Sequence, residues 1–315
     1  MNLKSALLPV LFSLVALAQA PASPPLLGQG LVIADAGNHR LVELDAQGKL
    51  IRTLELGTPF RYTDDVFFAP DGRYAYVTDP DAHIMGKVRY PQGQSLWRYG
   101  QPGVPGHTLD RLNRPDDLVP LPSGLLAVAD IRNCRVLLLS PEGKLIRVLG
   151  KTGVCRNADG YFNKPNGAFP LGRDRLIVTE IVGHRLAITD LYGRRLQEIP
   201  LPLSYPSDAN YTPWGSILVV DWSNPGAVLE VSLKGKVLWK YAPTDAQHRL
   251  DHPSVALGLP SGKIVLTDDR RHRVLVVDRS TRQVVFQYGQ TDRPGSKAGL
   301  LRYPDGMDLI PAVVH

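Results

Sequence analysis

The chain has 315 residues, with 36 Lys and Arg against 30 Asp and Glu, 43% hydrophobic and 21% charged residues. That balance is globular, excludes a disordered tail or fibrous repeat, and leaves enough chain for a substantial core in one large domain or two small ones. The formal net charge of +6 is scattered as singletons and pairs such as Arg194-Arg195 and Arg270-Arg271, so no basic face is expected and no nucleic-acid partner. Gly 29 and Pro 27 suit a turn-rich all-β chain, and 7% aromatic residues is too few for a tryptophan-studded lectin.

Residues 1–22 read as a secretory signal. Lys4 supplies the positive start, Ala6 to Leu17 is an apolar run, and the small residues Ala18, Ala20 and Ala22 follow. The run is shorter than the roughly 20 residues that cross a bilayer. An exported protein, periplasmic or secreted, is expected, with no membrane span once the signal is removed. The remainder, 23–315, is expected to form a single monomeric domain. Cys134 and Cys155 cannot make a four-ligand zinc site by themselves, and in an oxidising compartment a disulfide is their natural use.

One unit recurs down the mature chain: an apolar strand ending in a carboxylate, a polar turn often carrying Arg, then a second apolar strand. Copies run through Leu31–Asp45, Ala75–Asp79, Leu126–Leu139, Leu176–Asp190, Leu218–Val231 and Ile264–Asp278. The strand-ending carboxylates are Asp35, Asp79, Asp130, Glu180, Asp221 and Asp268, spaced by 44, 51, 50, 41 and 47 residues. That is the period of a four-stranded propeller blade. A short segment, usually opened by proline, precedes five copies: Thr63–Val66, Pro115–Leu118, Pro165–Ala168, Pro206–Ala209 and Pro253–Ala256. The sixth, Pro304–Met307, sits at the C-terminus with no repeat after it, while the first repeat has no such segment before it. The pattern predicts an all-β, six-bladed β-propeller whose C-terminal segment supplies the inner strand of the first blade and so closes the ring. Glycines in the turns at Gly48, Gly143 and Gly235 prepare a further outer strand in each of three blades.

The unit Asp130-Ile131-Arg132-Asn133-Cys134-Arg135-Val136, with the Gly-rich stretch from Tyr288-Gly289 to Tyr303-Pro304, resembles the NHL-repeat family of β-propellers. The resemblance covers nearly the whole mature chain and implies the fold. Function is left open, since enzymes and binding modules share that fold. In such a propeller Cys134 falls in a second-to-third strand turn and Cys155 in the crossover after the same blade. Both then lie on one face, where a disulfide would pin the crossover 151–164 at the channel mouth.

That crossover face is where function is expected. The residue after each inner-strand proline position is Asp64, Asp116, Asn166, Ser207, Ser254 and Asp305, all small and oxygen-bearing. Such a ring suits Ca²⁺ or another hard divalent cation, with Asp64, Asp116, Asn166 and Asp305 as ligands; the competing role is capping crowded strand starts. Lys164-Pro165-Asn166-Gly167 is similar to a segment of the gluconolactonase-like propellers, a resemblance that implies metal ligation by Asn166. Their Glu-Gly-Pro motif is replaced here by Gly28-Gln29-Gly30. The NHL units also resemble those of the peptide-amidating lyase propellers, of whose three-histidine zinc site only His252 has a counterpart near the expected position.

His39, His184 and His272 share one turn position, each followed by Arg, and are expected to pack between blades while that Arg pairs the strand-end carboxylate. His252 and His107 lie on crossovers, and His252 is the candidate base. Arg61, Arg132, Arg270 and Arg271, with Tyr62 and Trp222, form a candidate anion-binding mouth. No Gly-x-Ser-x-Gly, phosphate loop or dinucleotide fingerprint occurs. The expected function is a scaffold binding a small molecule or protein through the axial pocket on the crossover face. The alternative is a divalent-metal-dependent hydrolase or lyase.

Overall fold

The computed structural model describes residues 25–312; the segment 1–22, expected to be an export signal, lies outside them. Those residues form six four-stranded antiparallel sheets, one per blade of a β-propeller. Blade 1 takes its inner strand, Pro304–Leu309, from the C-terminus and pairs it with Leu31–Asp35, followed by Arg40–Leu44 and Leu50–Glu55. The inner strands of blades 2 to 6 are Val66–Phe68, Pro115–Pro120, Pro165–Pro170, Pro206–Tyr211 and Ala256–Gly258. Both the blade number and the closure agree with the repeat pattern. Helical structure among the described residues is confined to single 3₁₀ turns such as Ile131–Asn133.

Burial follows strand position. The second strands Leu31–Asp35, Leu126–Asp130 and Ile217–Asp221 are buried at every residue, because neighbouring blades cover both faces. Their continuous apolar runs, without polar alternation, are what two covered faces require. The outer strand Leu50–Glu55 is covered poorly and stays largely exposed. Apolar clusters bridge blades: Val136, Leu138 and Leu149 of blade 3 pack with Ala168, Leu176 and Val178 of blade 4.

The recurring carboxylate is a clamp inside each blade. It ends the second strand and accepts backbone N–H groups from the loop that leads into the inner strand. Asp130 Oδ1 accepts Asn113 N–H at 2.8 Å, Asp221 Oδ1 accepts Tyr205 N–H at 2.7 Å, and Asp268 Oδ1 accepts Asp251 N–H at 2.7 Å. The Arg that opens the next strand pairs the other oxygen: Arg40 with Asp35, Arg135 with Asp130, Arg185 with Glu180 and Arg273 with Asp268. Arg135 is fully buried and also donates to the carbonyls of His107, Thr108 and Arg111. Desolvating such a charge is tolerable only when its donors are used in this way.

The histidine slot is structural, as the repeat reading expects. His39, His184 and His272, with Cys134, adopt the left-handed backbone conformation at the turn, with φ of 57, 47, 58 and 51°. His272 Nδ1 accepts the N–H of Tyr303 in the next blade at 3.3 Å, and His83, in the same slot of blade 2, accepts Arg114 N–H at 3.1 Å. Burial lowers the pKa of both imidazoles, which keeps the accepting nitrogen free. Cys134 and Cys155 form a disulfide with Cα atoms 5.2 Å apart. It ties the crossover to its blade, but residues 151–164 do not line the channel mouth as expected. The crossover instead pairs on itself through Cys155 and Phe162.

Candidate functional site

A single irregularity, repeated around the ring, shapes the axis. In blade 3, Pro115 lies opposite Asp130 and Leu118 opposite Val128, so three steps on the inner strand match two on its neighbour. Blades 1, 4 and 5 carry the same bulge, between Pro304 and Met307, Pro165 and Ala168, and Pro206 and Ala209. A bulge places two residues opposite one and breaks the alternation of faces. Both residues after each proline are thereby freed to turn toward the axis. Thr78, Thr179 and Thr267, on blades 2, 4 and 6, offer their hydroxyls to the loosened amides of Asp65, Gly167 and Val255.

The first tier is the predicted oxygen ring. Asp64, Asp116, Asn166, Ser207, Ser254 and Asp305 all line one axial pocket of about 300 Å³. They face their neighbours rather than capping their own strands. Asn166 Nδ2 donates to Asp116 Oδ2 and, at 3.1 Å, to Ser207 Oγ. Asp305 lies within hydrogen-bonding reach of Ser254 and Asp64, and Asp64 within reach of Asp116. Three adjacent carboxyls with little solvent raise one another's proton affinity. Asp64 and Asp305 are pushed above the carboxylate range, chiefly by burial, and Asp116 is pushed up to about 8. This is a site that needs positive charge, as protons or as a cation.

The second tier went unnoticed in the sequence. Asp65, Asp117 and Asp208 meet across the axis, with one oxygen of each within 4.8 Å of the others. Asp65 also groups with Asp64 and Asp116, so the two tiers touch. The signal was the doubled acid of Asp64-Asp65 and Asp116-Asp117 together with Asp208. A period-two strand assigns the second residue of each pair to the opposite face; the bulge redirects Asp117 and Asp208, while Asp65 stands just ahead of the short inner strand Val66–Phe68.

Above the ring the wall is aromatic and charged: Tyr62, Tyr205, Trp222 and Tyr303 with Asp81, Arg114, Asp269 and Arg270. Arg270 lies 4.9 Å from the ring centre of Tyr303 and 5.9 Å from that of Trp222. Of the candidate anion-binding mouth, Tyr62, Trp222 and Arg270 line this pocket. Arg271 is engaged by Asp292 at 2.9 Å, Arg61 lines a neighbouring cleft, and Arg132 is exposed. Arg114, absent from that expectation, takes their place. Asp269 is buried with Oδ1 lacking a partner among the described residues, and burial holds its carboxyl protonated well above the usual range.

His252 stands behind this wall. Its Nδ1 contacts Asp251 Oδ1 at 2.5 Å and its ring meets Trp222 edge-on at 4.4 Å. It does not line the pocket itself, and neither does His107. His252, like Arg114, Lys164 and Tyr303, is a left-handed residue directly before a proline, with φ of 55, 55, 58 and 53° for the four. Side chains at the mouth are thus set by backbone that L-residues enter at a cost.

No protein-family model matches the chain. Solved structures similar in fold include the nidogen/laminin complex, at 15% identity and TM-score 0.65 over 89% of this chain and 98% of that one. A protein of unknown function from Bacteroides caccae matches at 13% identity and TM-score 0.61, over 89% and 97% of the two chains. A streptogramin B lyase matches at 14% identity and TM-score 0.55, over 85% and 84%. At these identities the likeness is one of fold: the neighbours are six-bladed propellers, and both binding proteins and a lyase are built on it.

Proposed function

We propose that this propeller, read as an exported member of the NHL-repeat type, is a binding scaffold whose axial pocket takes a small oxygen-rich anion through a divalent cation. Asp64, Asp116, Asn166 and Asp305 would hold the cation, with Ca²⁺ the favoured ion for an all-oxygen set. The observation that carries the reading is the closed ring itself: six inner-strand oxygens turned toward one another, three of them carboxyls without enough donors to go round. Arg114 and Arg270 stand on the wall above, where they would meet a carboxylate or phosphate that also coordinates the ion. The disulfide, and the lack of any helix among the described residues long and apolar enough to cross a membrane, are compatible with export.

Calorimetric titration with Ca²⁺, comparing the mature protein with Asn166→Ala and Asp305→Asn, tests the pocket. Loss of at least tenfold in affinity in both variants is expected; unchanged binding in both would remove the pocket ion from the reading.

A second reading has its own observation. The Asp251–His252 contact orients an imidazole as a general base is oriented in hydrolases and lyases. Here His252 would take the proton of a water that attacks the carbonyl of a lactone or ester and return it to the leaving oxygen, with Trp222 moved aside. A screen of lactones and esters, with His252→Ala reducing any turnover by about 10²-fold or more, separates this reading from simple binding.

A further inference from the structure

Beneath the pocket floor, the structure assigns a second cation site, formed by Asp65, Asp117 and Asp208 and distinct from the ring that faces the ligand. These three carboxylates come from blades 2, 3 and 5 and are 4, 0 and 2% exposed. Neither oxygen of Asp117 has a hydrogen-bond partner among the described residues, and Asp208 Oδ2 has none either. Buried carboxylate oxygens are almost always satisfied, because leaving them bare forfeits their hydration without return. Among the described residues, no Lys or Arg forms a salt bridge with any of the three. What the protein withholds in donors, a cation supplies.

The size fits one ion. Oxygens bound to the same Ca²⁺ at about 2.3–2.6 Å lie at most about 5 Å apart, and these lie within 4.8 Å of one another. Three carboxylates supply at most six oxygens, the lower end of the six to eight that Ca²⁺ takes, when each binds through both of its oxygens, whereas Mg²⁺ at about 2.1 Å demands a tighter octahedron. Room for the carboxylates comes from the remaining second-tier positions. A Cβ on Gly306 would lie 2.1 Å from Asp65 Oδ1, and one on Gly167 would lie 2.6 Å from Asp117 Oδ2. Further along the inner strands, Phe67, Val119, Phe169 and Ala209 belong to one apolar cluster. The ion would tie three inner strands together at the axis, where no backbone ladder joins one blade to the next.

The test is refolding of the mature protein from guanidinium, with Ca²⁺ or with chelator present. Gel filtration into chelator and metal analysis follow. One equivalent of Ca²⁺ is expected to survive gel filtration in the wild type and in Asp305→Asn, which alters only the pocket ring. None should survive in Asp117→Asn or Asp208→Asn. Wild-type protein retaining no ion, or Asp117→Asn retaining as much as wild type, overturns the assignment and leaves shared protons as the compensating charge. Should both deep variants fail to refold, the wild type decides: an equal refolding yield with Ca²⁺ and with chelator overturns the site, and a several-fold loss in chelator supports it. Failure of the pocket reading is seen separately, as Asp305→Asn binding Ca²⁺ in the pocket with unchanged affinity.

Discussion

Asp35 Oδ1 accepts the backbone N–H of Arg302 at 2.6 Å across 267 positions of sequence. This is the same clamp that Asp130 makes with Asn113 over 17 positions, but in blade 1 it is made between the two ends of the domain. Arg40 reinforces it, pairing Asp35 at 2.7 Å and donating to the carbonyls of Ser296 and Leu300. Ring closure thus uses ordinary repeat chemistry, with one partner delivered by the C-terminus.

Removing that carboxylate should therefore open the ring. Asp35→Ala leaves the Arg40 guanidinium buried and unpaired, and breaking one side of a buried pair costs about 3–5 kcal/mol. Asp71→Ala removes an exposed partner of Arg73 and should stay within about 0.5 kcal/mol of wild type. Denaturant unfolding of the two variants beside wild type checks the contrast; similar losses would refute it.

The disulfide closes a loop of 21 residues between Cys134 and Cys155. By loop length, the paired substitution Cys134→Ser with Cys155→Ser should cost about 3 kcal/mol. Since no residue of 151–164 lines the pocket, Ca²⁺ affinity should be unchanged. Melting and calorimetry on the same sample test both halves of that statement.

The axial carboxyls make stability depend on pH in an unusual direction. Asp116 is pushed from the usual carboxyl range up to about 8 by burial and Asp305. The folded state therefore holds its proton more tightly than the unfolded chain. Stability from this group is fully present below the unfolded value near 4 and is lost as pH rises through about 8. Chelated protein should melt at a lower temperature at pH 8.5 than at pH 5.5. Added Ca²⁺ should restore the loss chiefly at the higher pH, because the ion competes with protons for the same oxygens. A chelated protein that melts higher at pH 8.5 would contradict this.

Asn166 bridges Asp116 and Ser207 through one amide nitrogen. Asn166→Asp keeps an oxygen ligand but places a fourth ionisable group in the ring. The metal-free protein should lose about 1–3 kcal/mol from the broken bridge, while the Ca²⁺-loaded protein should lose less. Melting with and without Ca²⁺ gives the difference, and an equal loss in both states would rule out ligation at this position.

Period and composition were enough to read the architecture from the chain. Continuous apolar runs such as Leu126–Asp130, ended by a carboxylate at near-regular spacing, specify blades because a strand covered on both faces can only be an inner layer of a repeated sheet. The unmatched segment Pro304–Met307 specified closure, because one strand was missing at the other end. The first-tier oxygens were legible for the same reason: each sits at the same point of the repeat, directly after a proline in every blade but the second, where Thr63 takes its place. Asp65, Asp117 and Asp208 were not, since alternation along a regular strand turns them away from the axis; the bulge that turns Asp117 and Asp208 back leaves no local mark beyond the proline, and Asp65 lies just ahead of its strand Val66–Phe68. Arg114 and Asp269 reach the pocket wall through turns of different blades, so their meeting depends on how the ring packs. Repeats are written into sequence because each blade solves the same local problem. The axis is where six solutions meet, and only tertiary packing decides which side chains share that space.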